Sequence, residues 1–213
     1  MIFDIKSVEN KKIEKFYKEA IKQLNEFYMI NWNRNMPRIF LIQSRKEFDI
    51  LYGEKTKDWV VGTSLGDLGS VYLLKPEVYE TESSHKYSDK EYEYLLRHEI
   101  SHLYSRIFYS KYVPKWFMEG IAIYSSGQLE LKGKIKKFER FIDFYHQGGS
   151  GLYDESGFAV MILDKEYGRE KILELLKSLN DIDNEEKFNK VFKKIFGIEL
   201  EYDWFNERIS KYI

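Results

Sequence analysis

The segment Arg97–His102 contains two histidines that bracket a glutamate in the pattern H-E-x-x-H. On an α-helix each residue turns by about 100°, so His98 and His102 lie about 40° apart on one face, one turn apart. Their imidazole nitrogens can then bind one Zn²⁺ at about 2.0–2.1 Å. Glu99 stands beside such a metal, where it can take a proton from an attacking water. The pattern predicts a helix with one metal-binding face and one catalytic zinc ion per chain.

The residues around this pattern support a helix. Ser88 and Glu91 form a capping box at its start, and Pro114 follows its end because the residue before a proline leaves the α region. Apolar side chains recur at helical spacing opposite the histidines and are expected to face the core. These side chains are Leu96, Ile100, Leu103 and Ile107.

The composition gives no reason to expect a nucleic-acid partner, and it limits which residues can bind a metal. The 213 residues are 43% hydrophobic and carry a net charge of −1, which is ordinary for a globular protein and gives no basic surface for a nucleic acid. The 17 tyrosines and 15 phenylalanines are expected to fill the core and its rim. With no cysteine, a metal must be held by His, Asp or Glu.

Met1–Lys6 lacks the basic region followed by an apolar run that is typical of a signal peptide. No stretch of the sequence is long and apolar enough to predict a membrane-spanning helix. We therefore expect a cytoplasmic protein without a membrane partner, or a secreted one if a leader has been removed. We also expect a monomer.

The first half of the chain alternates predicted helices and short strands. Helical spacing covers residues 8–30, and Ser44 is expected to cap a short helix that ends at Gly53. Short buried runs predict strands at Arg38–Ile42, Trp59–Thr63 and Ser70–Leu74. Because Pro76 cannot extend a central ladder, we expect the last of these strands at the edge of the sheet.

Everything after Pro114 is predicted to be helical. Further helices are expected at 131–146, Phe158–Tyr167, Ile172–Leu179 and Phe188–Phe196, with a flexible glycine-rich linker at 147–151. The pattern predicts an α+β fold in which a small mixed sheet and the zinc helix form an N-terminal lobe. We expect one domain over residues 1–213, with lobes at 1–112 and 113–213.

Glu119 is the best candidate for a third metal ligand. It follows His102 by 17 residues, enough for the first helix to end and a second to pass the metal. The small residues Gly120 and Ala122 would let the two helices approach closely. A solvated glutamate is the alternative interpretation.

The two histidines, together with Trp116–Ala122 in the pattern W-x-x-E-G-x-A, resemble the gluzincin metallopeptidases, and most closely the small bacterial peptidases called peptidase MA-like. The similarity covers about residues 55 to 200 and is most specific at the zinc motifs. Weaker similarity involves Trp59–Gly62, Val71–Leu73, 153–158 and 167–168. The resemblance implies a zincin-like fold, with Glu119 as the third ligand and Glu99 as the general base for hydrolysis of a peptide or protein substrate.

Two departures limit what the resemblance implies. Thermolysin-type enzymes carry an aspartate four residues after the ligand glutamate, where this chain has Ile123, so the groups behind the ligands must differ. The G-x-M-E-N motif of gluzincin aminopeptidases is absent from the sequence. Its absence favours internal cleavage over stepwise trimming.

A donor is also needed for the oxyanion that forms during peptide hydrolysis. Tyr153, which follows the glycine-rich linker and matches a tyrosine of the family pattern, is our candidate, with His146 as the alternative. We further expect an extended substrate to pair with the predicted edge strand at Ser70, Val71 and Tyr72. An edge strand that only ends a sheet remains the alternative.

The sequence thus favours a zinc-dependent endopeptidase. Two other functions remain open: a non-catalytic or regulatory protein in which zinc only ties two helices together, and a protease dedicated to one protein target. The general base at Glu99 separates the first of these from an enzyme, because a purely structural site needs no such carboxylate.

Overall fold

A computed structural model describes residues 5–109, 113–149 and 151–213. It has an α+β fold, as predicted, with many helices and one small mixed sheet. In chain order the elements are α1 (Lys11–Tyr28), β1 (Arg38–Ile42), α2 (Arg45–Tyr52), β2 (Gly62–Leu65), β3 (Ser70–Leu74), α3 (Asp89–Ser105), α4 (Lys115–Ser126), α5 (Leu152–Tyr167), α6 (Arg169–Ser178), α7 (Glu185–Phe196), α8 (Tyr202–Asn206) and α9 (Ile209–Tyr212). Short 3-10 turns lie at Gly66–Leu68, Pro76–Val78, Gln128–Leu131, Phe141–Asp143 and Leu179–Asp181.

Helix boundaries follow local capping chemistry. The Ser44 hydroxyl accepts a hydrogen bond from the Glu47 amide, and the Ser88 hydroxyl accepts one from the Glu91 amide at 3.2 Å. Gly53 ends α2 with a positive φ of 88°, a backbone conformation that costs glycine little. These predicted boundaries are confirmed.

The three strands have the order β1-β3-β2, with β1 parallel and β2 antiparallel to β3. The predicted edge position of Ser70–Leu74 is therefore wrong, because β3 is the central strand. Pro76 does not prevent this, since it lies beyond Leu74, the last residue paired with β1. The strand expected at Trp59–Thr63 lies further along, at Gly62–Leu65.

The helix predicted for residues 131–146 does not form. The Glu155 carboxylate of α5 accepts hydrogen bonds from the backbone amides of residues 139–141 at 3.0 to 3.1 Å. The Asn206 side chain also bonds both the amide and the carbonyl of Phe138. The backbone of this segment is thus satisfied by distant side chains, while Phe138 and Phe141 are still fully buried.

Helix α3 ends at Ser105, before Pro114 and earlier than the pattern suggests. Ile107, expected in the core, lies beyond this end and is 51% exposed, so that assignment is wrong. The other three apolar positions of the stripe are buried. The end of the predicted N-terminal lobe, residue 112, lies outside the described residues.

Buried hydrophobic side chains from both predicted lobes belong to one cluster that extends from Ile13 to Phe205. Helix α3 packs between α1 and α4, and the rings of Phe27 and Tyr124 meet edge to face at 5.8 Å. The division into one domain with two lobes remains a prediction. Within residues 5–109, 113–149 and 151–213, no helix combines the length and hydropathy that crossing a membrane would require.

Candidate metal centre

Three predicted ligands converge on one point. His98 Nε2 lies 3.1 Å from His102 Nε2, and the Glu119 Oε2 atom lies 3.4 Å from the first nitrogen and 3.6 Å from the second. A tetrahedral ion with bonds of about 2.0–2.1 Å needs donor atoms about 3.3 Å apart. The three donors therefore fit a single metal ion without rearrangement, and they form a group that could hold one.

Helices α3 and α4 bring these ligands together. Next to the ligand face of α3, the Ser101 hydroxyl is hydrogen-bonded at 2.7 Å to the hydroxyls of Tyr28 on α1 and Ser125 on α4. These buried contacts fix α3 relative to both neighbours. The separation between the two histidines and Glu119 is thus set by the packing of three helices.

The expected role of Gly120 is wrong in one respect. A Cβ at Gly120 would lie 2.6 Å from the Ser156 carbonyl oxygen and 2.7 Å from a Val160 methyl group, and both residues are on α5. The glycine therefore permits close packing of α4 on α5, rather than on the zinc helix. Tight α4–α5 packing supports the helix that carries Glu119 from the side away from α3.

The predicted general base, Glu99, is buried beside strand β2. A Cβ at Gly62 would lie 3.0 Å from Glu99 Oε1, so the carboxylate rests directly on that backbone. Burial, and secondarily the charge of Glu119, raises the pKa of Glu99 to about 7, although His98 and a hydrogen bond from Ser64 act in the opposite direction.

The three candidate ligands are strongly coupled electrostatically. Burial opposes ionisation of Glu119, but His102 and His98 outweigh it and lower its pKa to about 2. Burial likewise lowers the pKa of His102 to about 4. A neutral imidazole beside an ionised carboxylate is the protonation state in which these groups bind a metal.

The ligands lie in an open cavity of about 620 Å³. Tyr153 of α5 lines this cavity and is half-buried, and its ring meets that of Trp59 edge to face at 5.9 Å. Burial, followed by the charges of Glu119 and Glu99, raises the pKa of Tyr153, which keeps the phenol a neutral donor. His146, the alternative donor, is exposed and is not part of the cavity lining.

The predicted substrate-binding strand does not reach the cavity. Ser70 and Val71 are buried in β3, and the Tyr72 ring stacks on Phe40 of β1 at 4.9 Å. Both edges of β3 are already paired with β1 and β2, so no peptide can add to it. Strand β2 lines the cavity in its place, through residues 62–64.

The Nδ1 atoms of His98 and His102 are buried and have no hydrogen-bond partner among the described residues. Burial opposes protonation of His98, but Glu119 and Glu99 outweigh it and raise the pKa of His98, with a smaller contribution from Gln128 just beyond α4. Metal-bound histidines usually have a polar group that orients the ring, and Gln128 in the cavity wall is a candidate for that role beside His98.

Several residues of the cavity wall were not predicted from the sequence. They are Trp59, Ser64, His85, Arg106, Lys115, Met118 and Gln128. Helical spacing could have found Arg106, which follows His102 by four residues on the same face of the chain. The others are brought in from separate loops and helices, and no short motif marks them.

Comparison with known proteins does not identify a family for this chain. No protein family model matches the chain, and a search of curated proteins finds no significant match.

Proposed function

We propose that this protein is a zinc-dependent endopeptidase of gluzincin type, with a zincin-like arrangement of its α+β fold. The observation that carries the proposal is the convergence of His98, His102 and Glu119 in an open cavity, beside the second buried carboxylate of Glu99. A catalytic zinc usually has three protein ligands and keeps one position open, which matches this geometry.

Zinc is the metal that best suits the donors. Two imidazoles and one carboxylate at tetrahedral separations form a donor set typical of zinc hydrolases, whereas Mg²⁺ and Ca²⁺ prefer oxygen ligands. A bound zinc ion would supply a Lewis acid that polarises the peptide carbonyl and lowers the pKa of water towards 7.

In this proposal Glu99 transfers the protons and Tyr153 stabilises the negative charge. Glu99 accepts a proton from the attacking water at its carboxylate and returns it to the nitrogen of the leaving amine. The contact between Glu99 and Gly62 holds the Glu99 carboxylate in the cavity wall. Tyr153 donates its hydroxyl proton in a hydrogen bond to the oxygen on which negative charge develops.

An extended substrate is best accommodated along β2. Among the described residues this strand pairs only with β3, and its residues Thr63 and Ser64 are half-buried in the cavity wall. Backbone hydrogen bonds to a strand edge give affinity with little dependence on the substrate's sequence. This assignment replaces the one made for β3.

The open cavity argues against a purely structural zinc. Structural sites are closed by four protein ligands, whereas these three donors line a cavity large enough for part of a peptide. A structural zinc would also leave Glu99 as a buried carboxylate with no function.

Hydrolysis of unfolded casein by the zinc-loaded protein tests the proposal. We expect turnover that a chelator abolishes and zinc restores, and a fall of about 10²–10⁴-fold in Glu99→Gln with zinc still bound. Glu174→Gln, at an exposed position on α6, is the control and should retain full activity. Absence of turnover with stoichiometric zinc would contradict a general endopeptidase, and cleavage of one cellular protein alone would indicate the dedicated protease.

A further inference from the structure

Two cations line the cavity on the His102 side of the candidate centre. Arg106 follows the last turn of α3, and Lys115 is the first residue of α4. Both belong to the cavity wall, and both charges are felt by His102. They therefore lie in one cavity with the candidate ligands, and Arg106 follows His102 by one helical turn.

Neither cation forms an ion pair with a described carboxylate, although the charge of Lys115 also acts on the ligand Glu119. Within the described parts of the chain, Arg106 and Lys115 make no ion pair within 4.0 Å, whereas other cations of this region do. Lys90 pairs with Glu130 at 2.9 Å, and Lys132, also in the cavity wall, feels the charge of Asp154. Two positive charges without a close ion-pair partner in one concave wall favour an anion nearby.

The side chains of Arg106 and Lys115 each contact a glycine in a neighbouring loop. A Cβ at Gly66 would lie 2.6 Å from the Cδ and Nε atoms of Arg106, so the guanidinium group lies against the bare backbone after β2. The Cε and Nζ atoms of Lys115 lie 3.7 Å from the Cβ position of Gly148. Lys115 is half-buried and Arg106 is exposed, so both charges remain accessible to a ligand in the cavity.

We propose that Arg106 and Lys115 bind a carboxylate of the substrate, so that this cavity selects peptides with a negative charge on the His102 side. The inference rests on the proposed peptidase function, and names the substrate feature which that site would select. A guanidinium and an ammonium group together give charge-assisted hydrogen bonds to a carboxylate. The carboxylate is supplied either by an Asp or Glu side chain or by the free C-terminus of a peptide.

Four fluorescein-labelled peptides of one length and backbone sequence separate these two sources. They carry either Glu or Gln at one internal position, and either a free or an amidated C-terminus. Binding is measured by fluorescence anisotropy on zinc-loaded Glu99→Gln, which does not consume the peptide. We expect the peptide with the preferred carboxylate to bind about tenfold more tightly than the peptide with neither. Repeating the series with the Glu at successive positions locates the side-chain site.

Charge variants test whether the two named residues are responsible. In the same background, Arg106→Gln and Lys115→Gln should each remove most of the preference, and Arg106→Glu should favour a Lys-containing peptide over the Glu-containing one. Lys132→Gln makes the same change of charge in the same cavity and should leave the preference in place. Circular dichroism checks that each variant is folded.

Two results would overturn this inference: no preference for any carboxylate, whether all the peptides bind alike or none binds, or an equal loss of preference in Lys132→Gln. The second result would show a diffuse positive field instead of a site. Casein turnover without a carboxylate preference would remove this inference alone, and a carboxylate preference without turnover would remove the proposed peptidase activity alone.

Discussion

Gly62 leaves no room for a side chain between strand β2 and the carboxylate of Glu99. A Cβ there would lie 3.0 Å from Glu99 Oε1 and 3.1 Å from its Cγ, with a Leu73 methyl group at 2.8 Å. The wall of the cavity and the proposed general base are thus built against each other. Gly62, which lies outside the metal-binding motif, therefore limits the position of the Glu99 carboxylate.

Replacing Gly62 by alanine should displace Glu99 and lower casein turnover by at least about tenfold, while zinc binding by the two histidines and Glu119 persists. A shift of a fraction of an ångström in a proton acceptor is costly because proton transfer requires hydrogen-bond geometry. Turnover and zinc content are measured on the same sample. Gly133→Ala is the matched control, since a Cβ there meets nothing within 4 Å. Equal turnover in the two variants would show that Glu99 is not held by β2.

Glu155 should be one of the most stabilising side chains outside the metal centre. Its carboxylate accepts three backbone hydrogen bonds that hold residues 139–141 against α5, and it is 5% exposed. Glu155→Ala would leave three amides without their acceptor, of which that of Phe141 is buried, and we expect a loss of about 2 kcal/mol in the free energy of unfolding. Urea denaturation measures this loss. Asp154→Ala, at the adjacent exposed position, should change the free energy by less than about 0.5 kcal/mol. Similar values for the two variants would contradict an anchoring role.

Glu166 should make stability depend on pH in the acid range. Hydrogen bonds from Lys211 and Tyr212, near the C-terminus, lower its pKa from 4.5 to about 2. Because the folded pKa is depressed, the stabilisation is present above pH 4.5 and is lost as the pH falls towards 2. Glu166→Gln should thus lower the free energy of unfolding by about 1 kcal/mol at pH 7, with no difference from wild type near pH 2.

Urea unfolding at several pH values measures this difference. Glu174→Gln, which removes an exposed pair with Lys171, is the comparison and should stay within about 0.5 kcal/mol of wild type throughout. A deficit for Glu166→Gln that persists unchanged at pH 2 would show that the side chain acts through packing, and would contradict the electrostatic account.

Local signals in the sequence predicted the elements that depend on neighbouring residues. Ser44 and Ser88 cap their helices and Gly53 ends one, because each of these interactions spans only a few positions. The spacing of His98, Glu99 and His102 is likewise a property of a single helix turn. The approach of Glu119 was predictable only from its motif, because its partner helix must be placed by tertiary packing.

The features that sequence analysis missed depend on distant partners. The central position of β3 follows from its pairing with β1, whose residues lie 32 positions earlier than their partners, and no local pattern encodes such a pairing. Residues 131–146 have helical spacing of apolar groups, but Glu155 and Asn206 bind the backbone that a helix would have used. Gly120 was recognised as a close-packing residue, and only the three-dimensional arrangement reveals α5 as the helix that it meets.

X-ray absorption at the zinc edge, on protein loaded with one equivalent of zinc, tests the central claim most directly. Three side chains from α3 and α4 should hold one ion with a position left for solvent. We expect about four nitrogen or oxygen neighbours at about 2.0 Å with the scattering pattern of two imidazoles, and a loss of one oxygen neighbour or of stoichiometric binding in Glu119→Ala. A spectrum without imidazole scattering, or one unchanged by Glu119→Ala, would contradict the account.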